Sequence, residues 1–264
     1  MQTEPDSPSH AVERGNGTSI VFLHGYPLTH DMWQPQIAPL SQANHVVLLD
    51  LPGFGLARGE PVPETLEGFA ESVRASISVF STSPVVVVGH SFGGYVALQL
   101  YRQHPEMFRG LVLTNTRSAG DSAEAREKRL ATIQRLEAPN QTLDVDEVAK
   151  GLLAPATWEA GGPVVTTVRE MVGGAPTPTV RATLRAIANR PDLTPVLAEI
   201  RVPTLVIWGE EDRLIPPAQS QSMVPLIPAG SGVGIPAAGH LPSLEAPGSF
   251  ALAIENFLHK VVAL

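Results

Sequence analysis

A serine flanked by glycines, in the run GHSFGG at positions 89–94, has a setting that suits nucleophilic catalysis. It follows PVVVV, a run typical of a buried strand, and precedes a helical pattern over 92–103. Gly89 and Gly93 leave room for a tight strand–turn–helix that raises the Ser91 side chain above the sheet. The start of the helix would also direct free N–H groups and its positive dipole end at an oxyanion. A serine at this position could equally cap the helix. Whether Ser91 is a cap or a nucleophile therefore depends on whether the chain also supplies a histidine and a carboxylate.

A serine hydroxyl becomes an effective nucleophile when a histidine takes its proton. The histidines after Ser91 are His104, His240 and His259. His104 lies more than three turns along the helix that Ser91 opens, and His259 lies in the last helical pattern, so neither can reach a site above the sheet. His240, in AAGHLPSLE, lies in a glycine-containing loop after the last strand signal, where strand ends deliver functional groups. We therefore predict His240 as the base.

The histidine needs a carboxylate to fix its tautomer and to stabilise its charged form. Asp212, in WGEEDRLIP, follows the strand PTLVIW and so lies on the same edge of the sheet, with Glu210 and Glu211 as weaker candidates. The strand GLVLTN, another place where such a fold can hold its acid, ends in Asn115. Four other aspartates are expected at the surface or as helix caps: Asp121, Asp144, Asp146 and Asp192. We predict Asp212 as the acid.

The elements that would position these residues alternate as in a parallel sheet with crossover helices. Apolar runs predict five strands, at 19–25, 45–50, 84–89, 110–115 and 203–209. A sixth, at 231–236, is weak because two glycines interrupt it. Helical spacing links Leu66 to Phe80, and a last helix spans roughly 244–260. The predicted fold class is α/β, a mostly parallel sheet with helices on both faces.

From about 117 to 200 the strand signal disappears, and four helical patterns separated by proline and glycine replace it. We predict an inserted all-helical lid over 117–200, on a core formed by 1–116 and 201–264. Most of its apolar stripes would form the lid's own core, and the inward faces would roof a pocket. The substrate-binding residues cannot be assigned from the sequence, and the lid offers three candidates: Trp158, Val168 and Leu184.

Composition argues against several classes of partner. The net charge is −8 and no lysine or arginine cluster occurs, so nucleic acid is not expected. The first twenty residues lack the pattern of a signal peptide, and no run approaches eighteen apolar residues, so we expect a cytoplasmic protein without membrane contact. Without cysteine or an HExxH motif, no metal or cofactor is expected. A monomer and a homodimer fit equally well.

In order and spacing, five motifs resemble the α/β-hydrolase fold superfamily: HGYP, DLPGFG, GHSFGG, GEEDRLIP and AGHLPSLEAP. They run from about residue 18 to the end, and with the segment 115–129 they resemble serine carboxylesterases and enol-lactonase-like hydrolases with a helical lid. Members usually open with a hairpin of two strands, whereas residues 3–15 offer at best one. The resemblance implies the fold predicted above and a triad of Ser91, Asp212 and His240.

The resemblance also implies roles for residues near the nucleophile. The backbone N–H groups of Tyr26 and Phe92 would form an oxyanion hole. His24 and Asp50 would hold loops in place, and His90, next to the nucleophile, would be a packing residue.

The expected activity is hydrolysis of a small-molecule carboxylic ester through an acyl-enzyme on Ser91. Lactone hydrolysis, cofactor-free perhydrolysis and carbon–carbon bond hydrolysis use the same triad and stay open, whereas a ligand receptor without turnover is disfavoured. The apolar stripes of the lid favour uncharged esters with acyl chains of about two to eight carbons. The alternative is that Arg117 pairs with a substrate carboxylate.

Overall fold

The computed structural model describes residues 10–262. Its strands are β1 (Ala11–Arg14), β2 (Thr18–Leu23), β3 (Asn44–Leu49), β4 (Val85–His90), β5 (Phe108–Thr114), β6 (Thr204–Gly209) and β7 (Gly230–Ile235). They form one sheet in the order β1-β3-β2-β4-β5-β6-β7. β1 is antiparallel to β3, and the other neighbouring pairs are parallel. The predicted α/β class with a mostly parallel sheet is therefore confirmed. Residues 1–9 and 263–264 of the predicted core lie outside the described residues.

The two edge strands of the sheet, β1 and β7, have the weakest strand signals in the sequence. Within the described part of the chain, one strand precedes β2, the most that the sequence offered there, and it pairs with β3 from Ala11 opposite Leu49. At the other end, the glycine-interrupted run forms the parallel strand β7. A β-carbon on Gly232 would lie 2.9 Å from the ring of Trp208 on β6, so this glycine makes room for the indole.

The helices are α1 (Gln34–Leu40), α2 (Leu66–Phe80), α3 (Phe92–Gln103), α4 (Ala123–Arg135), α5 (Val145–Leu152), α6 (Pro155–Ala160), α7 (Pro163–Gly174), α8 (Thr177–Ala188), α9 (Thr194–Leu197), α10 (Pro217–Gln221), α11 (Pro242–Glu245) and α12 (Pro247–Val262). Within residues 10–262, none of them combines the length and the apolar character needed to cross a bilayer.

Helices cover both faces of the sheet because the side chains of its buried strands alternate between two cores. In β4, Val85 and Val87 pack into a core that includes α2 and α3. Val86 and Val88 face a second core that includes α1 and α12. All six residues of β4 are buried, as expected for a central strand of a parallel sheet. This rigid strand carries the predicted nucleophile at its carboxyl end.

The six helices α4 to α9 lie between β5 and β6. The four predicted helical patterns correspond to α4, α5, α7 and α8. The sequence analysis missed α6 and α9, since six and four residues are too short to show a helical repeat. Helix α4 packs against α8, and α5 packs against α7. We refer to residues 117–200 as the insertion.

Candidate active site

Ser91 occupies a sharp turn between β4 and α3. Its backbone has φ 50° and ψ −111°, a conformation that residues other than glycine seldom adopt and that is typical of functional sites. A β-carbon on Gly89 would lie 2.6 Å from the Gly93 carbonyl oxygen, and one on Gly93 would collide with the backbone after β2. Although Ser91 is the N-cap of α3, its side chain accepts no capping hydrogen bond. The Ser91 hydroxyl therefore does not cap α3, so the interpretation of Ser91 as a capping residue is wrong.

His240 and Asp212 form a buried hydrogen-bonded pair. His240 lies in the loop after β7 and Asp212 in the loop after β6, with relative exposures of 1% and 4%. Nδ1 of His240 donates to Oδ2 of Asp212 at 2.7 Å. The other ring nitrogen, Nε2, is buried and has no hydrogen-bond partner among the described residues. The ring of His240 lies 4.7 Å, between centroids, from that of His90, the residue before Ser91.

The environment of Asp212 keeps its carboxyl group ionised. Its Oδ1 accepts the backbone N–H groups of Leu214 and Ile215, each at 2.9 Å. Burial would raise the pKa of Asp212, but the charge and hydrogen bond of His240, the Asn115 amide and the Ile215 N–H outweigh it and lower the pKa. An ionised Asp212 can stabilise a positively charged His240. The weaker candidates, Glu210 and Glu211, are exposed.

Asn115 is a site residue that the sequence analysis passed over. Its Nδ2 donates to Oδ2 of Asp212 at 2.8 Å and to the Gly239 carbonyl at 3.2 Å, while its Oδ1 accepts from the hydroxyl of Thr114 at 3.0 Å. Asn115 thus connects Asp212 to the loop that carries His240. The available signal was its position: a polar residue at the carboxyl end of β5, the strand next to β6.

His90 does more than pack beside Ser91. Its Nε2 donates to the backbone carbonyl of His240 at 2.7 Å. Burial, assisted by the neighbouring charge of His240, lowers the pKa of His90 to about 3. His90 is therefore neutral at physiological pH, and it holds the backbone of His240.

Tyr26 and Phe92, the two residues implied for an oxyanion hole, both line the cavity that contains Ser91. Phe92 is the first residue of α3, where backbone N–H groups have no partner within the helix. Within residues 10–262, neither the Tyr26 nor the Phe92 N–H donates to another protein group. Their role as donors to an oxyanion stays a prediction.

His24 and Asp50 hold loops in place through side-chain hydrogen bonds. Nε2 of His24 accepts the Leu51 N–H at 2.9 Å. Asp50 accepts the backbone N–H and Nδ1 of His30, both at 2.7 Å, and the Leu56 N–H at 2.8 Å. Both side chains are fully buried. These contacts fit the loop-holding role that the resemblance implied.

A cavity of about 370 Å³ opens onto Ser91. Its apolar lining includes Leu143, Val148, Leu152, Ile187 and Ile215. The expectation of an apolar roof is wrong in part, because the wall also carries charged residues: Arg117, Arg129, Arg135, Asp144 and Glu147. The cavity can therefore contact charged as well as apolar parts of a ligand.

The three lid candidates, Trp158, Val168 and Leu184, are not among the residues that line this cavity. Trp158 lines a separate surface depression, with the Arg169 guanidinium 4.8 Å from its ring centroid. Val168 is buried in the core on one face of the sheet, and Leu184 lies in a small core between α4 and α8. These three side chains contact other parts of the protein instead of the cavity, although Ile187, one turn after Leu184 on α8, lines it.

The reactive groups at the site are those of acyl transfer. Ser91, His240 and Asp212 provide a hydroxyl, an imidazole and a carboxylate on one edge of the sheet. Within residues 10–262, no group of three or more histidines, aspartates or glutamates is arranged to hold a metal ion.

The chain is similar to several hydrolases. A thermophilic esterase from Thermogutta terrifontis, solved with malate bound, is 33% identical, with a TM-score of 0.90 over 95% of this chain and 93% of that one. A pimeloyl-[acyl-carrier protein] methyl ester esterase from Aeromonas hydrophila is 29% identical over 95% of this chain and 99% of its own. An (E)-2-((N-methylformamido)methylene)succinate hydrolase from Acinetobacter baylyi is 29% identical over 147 residues, and this chain spans about half (54%) of its length. The model of the alpha/beta hydrolase family matches residues 20–253, and the chain belongs to that family.

Proposed function

We propose that the protein is a serine hydrolase that cleaves small to medium carboxylic esters through an acyl-enzyme on Ser91. The observation that carries the proposal is the buried pair of His240 and Asp212, which leaves Nε2 of His240 without a hydrogen-bond partner among residues 10–262. The ring of His240 lies 4.7 Å from that of His90, the residue before Ser91, and the Ser91 hydroxyl does not cap its helix. The names of the Thermogutta and Aeromonas relatives, both esterases, support the same reaction.

In the first half of the reaction, Nε2 of His240 takes the hydroxyl proton of Ser91 while Oγ bonds to the ester carbonyl carbon. The carbonyl π electrons move to oxygen, and the backbone N–H groups of Tyr26 and Phe92 donate to this oxyanion. When the C=O bond re-forms, the bond to the alkoxide breaks. The alkoxide takes the proton from His240 and leaves as an alcohol, so Ser91 remains acylated.

In the second half, His240 takes a proton from water, and the hydroxide oxygen bonds to the acyl carbon. The second tetrahedral oxyanion collapses, the bond to Oγ breaks, and the proton returns from His240 to Ser91. The net reaction converts an ester and water into a carboxylic acid and an alcohol. Asp212 stays ionised throughout and stabilises the positively charged His240.

The insertion acts as a lid in this proposal, because its helices supply much of the cavity wall. A cavity of about 370 Å³ suits acyl chains of about two to eight carbons, so long triglycerides would be poor substrates. Lactones are cyclic esters and undergo the same steps. Two of the relatives' names concern dicarboxylates, a bound malate and a succinate derivative, which supports testing esters that bear a carboxylate beside neutral ones.

The decisive experiment is labelling with a fluorophosphonate, which forms a bond from Oγ to phosphorus and expels fluoride. We expect one adduct per chain, located on Ser91 by mass spectrometry, and none in Ser91→Ala. Ser118→Ala, which removes another buried hydroxyl, should label like the wild type. Labelling that persists in Ser91→Ala would refute the proposal. A turnover screen over esters, lactones, diketones and peracid formation then separates the reactions that share this triad.

A further inference from the structure

A buried carboxylate in the insertion gathers three arginines beside the cavity. The Asp121 side chain is 1% exposed and binds Arg117 and Arg129 at 2.7 Å and Arg190 at 2.8 Å. Burial would raise the pKa of Asp121, but the hydrogen bond of Arg129 and the charges of Arg129 and Arg190 lower it, so the carboxylate stays ionised. Three guanidinium groups around one carboxylate leave an excess of two positive charges.

The three arginines differ in what they face. Arg190 has a side chain that is 1% exposed, it stacks on the ring of Tyr95 at 4.2 Å, and it donates to the carbonyl oxygens of Ile187 and Ala119. Its contacts are thus internal, and it balances the charge of Asp121. Arg117 and Arg129 are half-buried and line the cavity together with Ser91. The excess positive charge therefore lies on the cavity wall.

Arg117 and Arg129 both retain unused donors. Arg129 commits only Nε, to Asp121, and its terminal nitrogens have no protein partner in the part of the chain that the structure describes. Arg117 commits one terminal nitrogen to Asp121 and the other to Gln219, while its Nε is buried without a partner among those residues. A guanidinium has five N–H donors, and its two terminal nitrogens match the two oxygens of a carboxylate. Arg129 has both of them available.

The other charged groups on the wall do not neutralise these two. Asp144 and Glu147 also line the cavity, but both are exposed, so solvent screens their charge. Burial raises the pKa of Tyr26, and the positive charges of Arg129 and Arg135 oppose that rise. Tyr26, whose backbone N–H is the implied oxyanion donor, lines the same cavity as Arg129.

We propose that Arg129 and Arg117 bind a carboxylate of the ester substrate, and that Asp121 positions both guanidinium groups. The substrate class is a monoester of a short dicarboxylic acid, with its free carboxylate a few carbons from the reacting carbonyl. The inference rests on the proposed function, since the ester is the one cleaved at Ser91. In this proposal the substrate carboxylate is bound by Arg129 of α4 as well as by Arg117. The preferred substrate is then a charged ester and not an uncharged one.

The test compares monomethyl glutarate with dimethyl glutarate, which share the reacting methyl ester and differ in the distal carboxylate. We expect wild-type kcat/KM, followed by pH-stat titration, to favour the monoester about tenfold or more. Arg129→Gln should lower that preference about tenfold, mainly by raising KM for the monoester. Arg129→Lys should lower it less, because an ammonium group keeps the positive charge but lacks the paired nitrogens that bind both carboxylate oxygens. Arg126→Gln, on the exposed side of the same helix, should keep the preference. A wild-type preference for the diester, or one unchanged in Arg129→Gln, overturns the proposal.

A binding measurement separates this inference from the catalytic one. Calorimetry of monomethyl glutarate with Ser91→Ala should show binding that Ser91→Ala combined with Arg129→Gln weakens about tenfold. Continued hydrolysis by Ser91→Ala would refute the role of Ser91 as the nucleophile. The binding measurement would still test whether Arg129 binds the carboxylate. Specific labelling of Ser91 without any preference for the monoester would refute only the carboxylate site. If Arg129→Gln melts far below the wild type, the proposal is tested by Arg129→Lys and by the wild-type preference for the monoester over the diester.

Discussion

Glu245 joins Ala154 of the insertion to the loop of His240. Its Oε2 accepts the Ala154 N–H and the Thr157 hydroxyl, both at 2.8 Å, and its Oε1 accepts the N–H groups of Gly239 and Leu241 at 2.9 and 3.2 Å. One carboxylate thus holds the insertion and the predicted base in a fixed relation.

Glu245→Gln should loosen this connection. The amide turns a donor toward a backbone N–H and leaves that group without an acceptor, which costs about 1–3 kcal/mol. We expect the melting temperature to fall by roughly 2–10 °C, together with a fall in kcat. Glu255→Gln on α12, where the glutamate side chain makes no ion pair or hydrogen bond within residues 10–262, is the control and should melt like the wild type. Unchanged melting and turnover in Glu245→Gln would show that the connection is not needed.

Replacing the predicted triad residues should remove activity without unfolding the protein. Ser91→Ala and His240→Ala should lower kcat on the order of 10⁴-fold or more, and Asp212→Asn somewhat less, because the acid orients and stabilises the base. Circular dichroism checks the fold. Glu210→Gln, at an exposed residue, should retain activity. Full activity in Asp212→Asn together with none in Glu210→Gln would move the acid to Glu210.

Asn115→Ala tests the residue that connects Asp212, the predicted acid, to the loop of His240, the predicted base. Losing the Nδ2 donor removes one of the groups that lower the pKa of Asp212, so that pKa should rise. We expect kcat/KM to fall about tenfold, since a hydrogen bond to a charged group is worth about 1.5–3 kcal/mol. When kcat/KM is measured as a function of pH, the fall in kcat/KM on the acid side should also occur at a higher pH than in the wild type. A fall in activity without this shift in pH would indicate a structural effect alone.

The Asp50–His30 pair predicts a window of pH in which the protein is most stable. Burial favours the neutral form of both groups, but their hydrogen bond outweighs it, lowering the pKa of Asp50 below 3.8 and raising that of His30 above 6.5. The contribution of Asp50 is lost as pH falls through 3.8, and that of His30 is lost as pH rises beyond 6.5. The melting temperatures of the wild type and Asp50→Asn should therefore differ most between about pH 4 and 6.5. A difference that stays constant from pH 3 to 9 would contradict this.

The size of the cavity predicts a limit on acyl length. For methyl esters, kcat/KM should rise from acetate toward hexanoate, because each buried methylene adds about 0.8 kcal/mol. It should then fall beyond about eight carbons, when a cavity of about 370 Å³ is full. A shorter side chain at the wall, as in Leu143→Ala, should shift the maximum to longer chains. Rates that keep rising to dodecanoate would show that the insertion does not limit the pocket.

The sequence alone determined the local geometry around Ser91, the predicted nucleophile. The valine run and the glycines of GHSFGG specify a buried strand, a tight turn and a helix over 92–103, and the structure has these elements. It also placed Asp212 and His240 on one edge, since parallel strands end at the same edge. These features depend on residues close together in the chain, where periodicity and backbone sterics act.

Only the tertiary structure decided which side chains meet across the site. Asn115 and Asp212 are 97 residues apart, and no local pattern links them. The apolar stripes of the insertion showed that each helix has a buried face, but Leu184 faces α4 while Arg129 faces the cavity. Hydrophobic periodicity tells how a helix divides its surface between apolar and polar residues. The direction in which each face points depends on packing against other helices, and that packing placed Arg129 on the wall of the cavity that contains Ser91.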